Sequence, residues 1–149
     1  MIGLAVEFSQ LCFEAGAAHR GFVPQAAVLL AHALDLDAGP DPLHSALVRL
    51  ARLHEGRPVL ASRTAQTLTT RLTYAHRNGI GDTDTLLTVA ARLGATGDTA
   101  EGLFAAALTA TGGARTAWTG PWRTQLRLLR QHPVPDVRDA AYAEVTARE

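Results

Sequence analysis

The pattern of apolar and polar positions predicts helices along the chain. Residues 58–77 give the clearest example, because apolar side chains recur there every three or four positions and share one helical face. That face carries Ala61, Ala65, Leu68, Leu72 and Ala75, and the opposite, polar face carries Arg63, Gln66, Thr70, Tyr74 and Arg77. No segment shows the strict alternation of apolar and polar residues that is typical of a strand. The sequence therefore predicts an all-α protein.

Glycine and proline divide this pattern into eight predicted helices. They are residues 3–17, 24–36, 42–54, 58–77, 83–94, 99–111, 118–131 and 135–147. We expect Asp41 to cap the third helix with Pro42 at its first position, and Asp82 and Asp98 to cap the fifth and sixth. Glu101 follows Asp98 at the spacing of a capping box. The glycine pair at 112–113 is interpreted as the end of the sixth helix.

Four of the predicted helices begin at a regular spacing. Pro24, Pro58, Thr99 and Pro135 each open an Ala/Leu-rich run, at intervals of 34, 41 and 36 residues. A period of this length is typical of stacked helical hairpins. The 149 residues fit one domain, whole or as the C-terminal part of a longer array. A compact, irregular helical bundle is the alternative architecture.

The first predicted helix is apolar on two sides. Leu4, Phe8, Leu11 and Ala15 form one face, and Ile2, Val6 and Phe13 form another. Since a helix with two apolar faces needs cover on both, we expect the second face to contact another chain, as in a homo-oligomer, or a preceding segment of a longer protein.

Composition and charge narrow the function classes. The formal net charge is zero, so no overall field attracts the chain to nucleic acid or to an anionic membrane. Cys12 is the only cysteine, and no apolar run approaches the length of a membrane span. We therefore expect a cytoplasmic protein with no nucleic-acid or membrane partner. All 14 basic residues are arginine, which indicates GC-rich coding and favours a bacterial source.

The sequence contains no recognisable catalytic or ligand motif. Its six histidines lack the spacing of a metal site, and it has neither a nucleophile elbow nor a phosphate-binding loop. We expect no catalytic residue, metal or cofactor, although acid/base sites assembled from distant residues leave no such signature. In the seventh predicted helix Trp118 and Trp122 share an apolar face and are expected in the core, beside a basic stripe of Arg123, Arg127 and Arg130.

The last helix pair resembles a HEAT repeat over about residues 118–147, and the earlier pairs match it in outline. In that family leucines end the first helix, a turn with Pro and Asp follows, and the second helix opens with Val-Arg and a pair of small residues. Those places are held here by Leu126, Leu129, Pro133, Pro135, Asp136, Val137, Arg138, Ala140 and Ala141. The resemblance implies a right-handed α-solenoid of about four hairpins, whose second helices line a concave surface.

The resemblance also implies a function. On a concave surface Arg63, Gln66, Thr70, Tyr74 and Arg77 would face a protein partner, although the same side chains also suit an ordinary solvated face. The leading hypothesis is a non-catalytic interaction scaffold or assembly module. The alternatives are a ligand-binding or regulatory helical bundle and a HEAT-like DNA glycosylase, the latter suggested by the tryptophans and the basic stripe.

Overall fold

The computed structural model describes residues 23–144, and in this range the chain is all α, with seven helices and no strand. The helices are α1 (Val23–Ala33), α2 (Pro40–Arg52), α3 (Pro58–Arg77), α4 (Thr83–Gly94), α5 (Thr99–Arg115), α6 (Gly120–Leu129) and α7 (Pro135–Ala143). The predicted all-α class is thus confirmed for this range. The predicted first helix, with Ile2, Val6 and Phe13, lies outside it. None of these seven helices is both long enough and apolar enough to cross a bilayer.

Many helix contacts fall within two alternating sets, although α4 and α5, from different sets, also pack extensively on each other. Among those with odd numbers, α1 packs on α3, α3 on α5 and α5 on α7, while among those with even numbers α2 packs on α4 and α4 on α6. A buried hydrogen bond joins α6 to α4, since Gln125 Nε2 donates to the Ala90 carbonyl over 3.2 Å. Each helix therefore packs against the helix two positions further along the chain.

The central helix is α5, which packs against α2, α3, α4, α6 and α7. Phe104 and Leu108 are fully buried, and glycines and alanines occupy much of the remaining surface of α5. Small side chains bring neighbouring helices close to its backbone from several directions, so α5 organises the core.

The glycine pair in α5 corrects one predicted boundary. We expected the helix to end at residue 111, but it continues through Gly112 and Gly113 to Arg115. The reason is tertiary: the Trp122 ring lies against Gly112 and the Trp118 ring against Gly113, at positions where a Cβ atom would collide with them. The glycines therefore make room for two large rings.

The next helix begins later than predicted, at Gly120 instead of residue 118. Ala117 and Trp118 have left-handed backbone conformations, with φ of 51° and 58°, which cost about 1 kcal/mol or more for each non-glycine residue. The Trp118 amide donates to the Gly113 carbonyl over 2.8 Å. The turn thus holds the Trp118 ring against α5.

Two of the three predicted caps are confirmed. The Asp82 carboxylate accepts from the Thr85 amide and the Asp98 carboxylate from the Glu101 amide. The cap at Asp41 was wrong, because α2 begins at Pro40 with Gly39 at the N-cap, and Asp41 instead pairs with Arg92. The capping box at Asp98 is half formed.

Candidate functional site

A groove runs over α5 between α3 and α7. It consists of two adjoining cavities of about 260 and 290 Å³, both partly open to solvent. The cavities share Thr69, Ala110 and Glu144 as lining residues. We name it the alanine groove after its floor, which carries Ala106, Ala107, Ala110 and Ala114 of α5. Because the two cavities share lining residues, they form one continuous groove, which is lined by the odd-numbered helices α3, α5 and α7.

The floor is low because alanine projects only one carbon beyond the backbone. Ala106 and Ala110, one turn apart, are half-buried, and Ala114 is exposed. A helix backbone this close to the surface lets a second helix approach closely if its own contact residues are small. The floor therefore suits a chain segment better than a bulky, compact ligand.

The α3 wall is polar but uncharged over most of its length. The side chains that line the groove from α3 are three or four residues apart and so lie on one side of the helix. They are Ser62, Gln66, Thr69, Thr73 and His76. The Thr69 hydroxyl donates to the Ala65 carbonyl over 3.0 Å and the Thr73 hydroxyl to the Thr69 carbonyl over 2.9 Å. Because those hydrogens are used within the helix, both threonines offer mainly acceptor oxygens to the groove.

The α7 wall is acidic. Asp136, Ala140 and Glu144 lie four residues apart along it, so they share one side of α7 and its end. Within residues 23–144, no side chain forms an ion pair with either carboxylate. The wall therefore presents two carboxylates that form no ion pair with a side chain in this range.

Arg115 lines the same cavity as His76, and its guanidinium binds backbone carbonyls. Nη2 donates to the Leu72 carbonyl over 2.8 Å and Nη1 to the Gly81 carbonyl over 3.3 Å. Burial lowers the pKa of Arg115 below its ordinary value, and its Nε is buried with no described partner. Arg115 thus ties α5 to the end of α3 and the start of α4.

The predicted partner-binding residues of α3 are all exposed, but only one lines the groove. Arg63, Gln66, Thr70, Tyr74 and Arg77 lie away from the core, with Tyr74 62% exposed. Gln66 is in the α3 wall, whereas the other four lie on the neighbouring strip of the helix, further round from α5. Sequence reasoning missed the floor because its alanines resemble ordinary core residues until α3 and α7 are placed beside them.

The three arginines of the predicted basic stripe differ in their exposure to solvent. Arg127 is exposed, while Arg123 and Arg130 are half-buried. Arg130 donates to the carbonyls of Ala141 and Glu144 over 3.4 and 2.9 Å, and its guanidinium lies 5.2 Å from the centre of the Tyr142 ring. Arg123 and Arg130 are therefore partly covered by neighbouring residues, and of the three only Arg127 is exposed to solvent.

Of the two tryptophans expected in the core, Trp122 is buried and Trp118 half-buried. Neither ring lines the alanine groove. The two rings are accounted for by their contacts with Gly112 and Gly113.

A histidine–threonine contact resembles a catalytic pair but lies in the core. His54 Nε2 is 2.7 Å from the Thr64 hydroxyl, and His54 Nδ1 is 2.7 Å from the Leu50 carbonyl. Both side chains are 3% exposed, and the Phe104 ring packs edge-on against the imidazole at 5.6 Å between centres. Burial is the main cause that lowers the pKa of His54. The pair joins α2, α3 and α5 where no substrate can reach it.

The part of the chain that the structure describes holds no group of three or more side chains suited to bind a metal ion. In comparisons with family models, curated proteins and solved structures, nothing matches this chain. The alanine groove is therefore the candidate site on geometric grounds alone.

Proposed function

We propose that the chain is a HEAT-like array of serially stacked helices, and that it serves as a non-catalytic protein-interaction module through the alanine groove. The observation that carries this proposal is the continuous groove along α5, flanked on both sides by helices of the same set. Such a surface suits the docking of a partner helix, in which an apolar strip lies in a groove and polar edges fix its register.

Contacts between loops support the serial order of the helices. At one end of the molecule Asp37, after α1, accepts from the Gly81 amide, after α3, over 3.0 Å, and Gly81 accepts from Arg115 at the end of α5. At the other end His132, after α6, bonds through Nε2 to the Thr96 carbonyl, after α4, over 2.8 Å. Each of these loops thus meets the loop of an adjacent hairpin, as stacked repeats require.

The helix α2 departs from a regular stack. It packs on α5 as well as on α4, and Asp41 in its first turn pairs with Arg92 near the end of α4. Two parallel, aligned helices would not bring these positions together, so α2 and α4 are offset or crossed. This irregularity agrees with the weak match of the earlier hairpins to a HEAT repeat.

Binding of a protein segment is better supported than binding of a small molecule. The two cavities, at about 260 and 290 Å³, together reach the roughly 300–1,000 Å³ of typical ligand pockets, but both are open to solvent. Together they extend along the helix instead of enclosing a volume. The shape is therefore that of a channel for a chain segment.

The proposal is tested by capture with three forms of the immobilised protein: wild type, Ala110→Trp and Ala91→Trp. Ala110 lies in the groove floor, where an indole would fill the groove, whereas Ala91 is exposed on α4 outside it. From an extract of the source organism, we expect a protein that binds the wild type and Ala91→Trp but not Ala110→Trp. If every captured protein binds all three forms equally, the groove is not the docking site.

A further inference from the structure

We infer that the segment bound in the alanine groove is a basic helix, with Arg or Lys residues seven or eight positions apart and small side chains between them. This inference rests on the proposed function, because it names the chemistry of the partner for the same groove. Its basis is the charge on the two walls and the spacing of the acidic groups.

The α7 wall sets the spacing. Asp136 lies in the first turn of α7 and Glu144 directly follows its last residue, so their backbones are about 12 Å apart along the helix axis at 1.5 Å per residue. On a partner helix, residues seven or eight apart also lie on one side and are separated by about 10–12 Å. Two cationic side chains at that spacing can therefore pair with both carboxylates at once.

Two arginines, one on α7 and one bonded to its C-terminal end, donate to backbone carbonyls. Arg138, on α7 itself, donates to the carbonyls of His132 and Pro133 over 2.8 and 3.1 Å. Arg130 binds the carbonyls of Ala141 and Glu144. These contacts direct both guanidinium groups to backbone atoms, and no ion pair joins Asp136 or Glu144 to a side chain of residues 23–144.

The opposite wall favours a donor-rich partner as well. The Oε1 atom of Gln66 and the hydroxyl oxygens of Thr69 and Thr73 can accept hydrogen bonds, and the threonine hydrogens are already used within α3. Of the cationic groups at this wall, Arg115 is bound to two carbonyls. An acidic helix would meet the Asp136 and Glu144 carboxylates along the α7 wall.

The floor determines what lies between the two cationic residues. Because α5 presents Ala106 and Ala110 to the groove, a partner helix with small residues in its central turn can approach closely. Long Arg or Lys side chains at the two ends then extend sideways to reach the α7 wall. The same arrangement disfavours a partner with large aromatic residues in its central turn.

A displayed library of random peptides about 16 residues long, roughly 24 Å as a helix, tests the inference. Clones selected on the wild-type protein are sorted by their binding to Ala110→Trp, and those that lose binding are groove-dependent. We expect groove-dependent clones to carry Arg or Lys residues seven or eight positions apart and few acidic residues.

Synthetic peptides from these clones are then titrated by fluorescence anisotropy against two double variants of equal charge. Asp136→Asn with Glu144→Gln removes the wall charges, and we expect about a tenfold loss of affinity at low salt. Asp139→Asn with Glu55→Gln neutralises two exposed acids outside the groove, and we expect affinity within about twofold of wild type. Thermal unfolding by circular dichroism checks that each variant is folded.

The possible failures separate the two proposals. If groove-dependent clones are acidic or neutral, or if both double variants bind equally well, the basic-helix inference is wrong and the docking groove stands. If no clone distinguishes wild type from Ala110→Trp, the proposed function fails and the inference fails with it.

Discussion

At the scale of single residues, Gly112 decides how closely α6 approaches α5. The Trp122 ring occupies the space that a Cβ at residue 112 would need. Gly112→Ala should lower the free energy of unfolding by about 2 kcal/mol through overpacking, even though alanine gains about 1 kcal/mol in helix propensity. Gly120→Ala, where nothing lies within 4 Å of the added Cβ, is the matched control. Urea unfolding followed by circular dichroism measures both; equal stability of the two variants would contradict the packing described for Trp122.

His54 gives the fold a predictable response to pH. Since the Leu50 carbonyl can only accept, His54 Nδ1 must donate to it, which leaves Nε2 to accept from Thr64 in the neutral imidazole. The pKa of His54 is lowered chiefly by burial and secondarily by Arg57, while the Leu50 carbonyl and Asp98 act in the opposite direction. The folded protein therefore favours the neutral form.

The sign of the effect follows from proton linkage. Below the ordinary histidine pKa of 6.5 the unfolded chain binds a proton that folded His54 resists, so stability falls as the pH drops from 6.5 towards the lowered folded value. Above pH 6.5 the imidazole of His54 is neutral in both the folded and the unfolded chain, so this loss of stability is absent. We expect the unfolding free energy to drop less between about pH 7.5 and pH 5.5 in His54→Gln than in wild type. The control, His76→Gln at an exposed histidine, should retain the wild-type drop, and an unchanged drop in His54→Gln would refute the assignment.

At the scale of the helices, the N-caps provide the sharpest contrast between sequence and structure. Asp98 accepts from the Glu101 amide over 2.9 Å, so Asp98→Ala should cost about 1 kcal/mol. Asp41 caps nothing, and its ion pair with Arg92 joins side chains that are 80% and 46% exposed. Asp41→Ala should therefore cost less than about 0.5 kcal/mol. Chemical unfolding of the two variants checks the order, and a larger loss for Asp41→Ala would show that the pair matters more than the cap.

Helix identity was predictable from sequence because local signals determine it. The bounds of α3 and α4 match the predicted 58–77 and 83–94, where prolines, capping aspartates and amphipathic periodicity agree. The end of α5 was not predictable, because two consecutive glycines in a sequence indicate a turn. Only the structure shows that Gly112 and Gly113 lie inside the helix, where they make room for two tryptophan rings.

The alanine groove was harder to predict than the helices. Helix α5 is apolar on most of its surface, so its sequence has no strong periodicity to show which alanines are covered by neighbours and which remain open. Only the positions of α3 and α7 separate the floor residues Ala106 and Ala110 from the buried Ala105. Of the predicted docking residues, only Gln66 lines the groove. The groove wall is one edge of the polar face of α3, and the other predicted residues lie further round that face.

At the scale of the whole molecule, the alanine groove depends on the order in which the helices contact one another. The odd-numbered helices pack as α1 on α3, α3 on α5 and α5 on α7, and the groove exists because α5 lies between two members of this set. A closed bundle of the same helices would instead bring α1 and α7 together. The separation of the first and last described helices therefore distinguishes the two architectures.

The most direct test is the distance between α1 and α7, measured by pulsed electron paramagnetic resonance. Spin labels are placed at Val28 and Tyr142, which are 45% and 63% exposed, in a Cys12→Ser background. Three successive helix–helix steps of about 8–10 Å each predict a separation of roughly 25–30 Å between the two helices. A dominant distance at or below about 15 Å, close to a single step, would mean that the two helices are neighbours and would contradict the serial array.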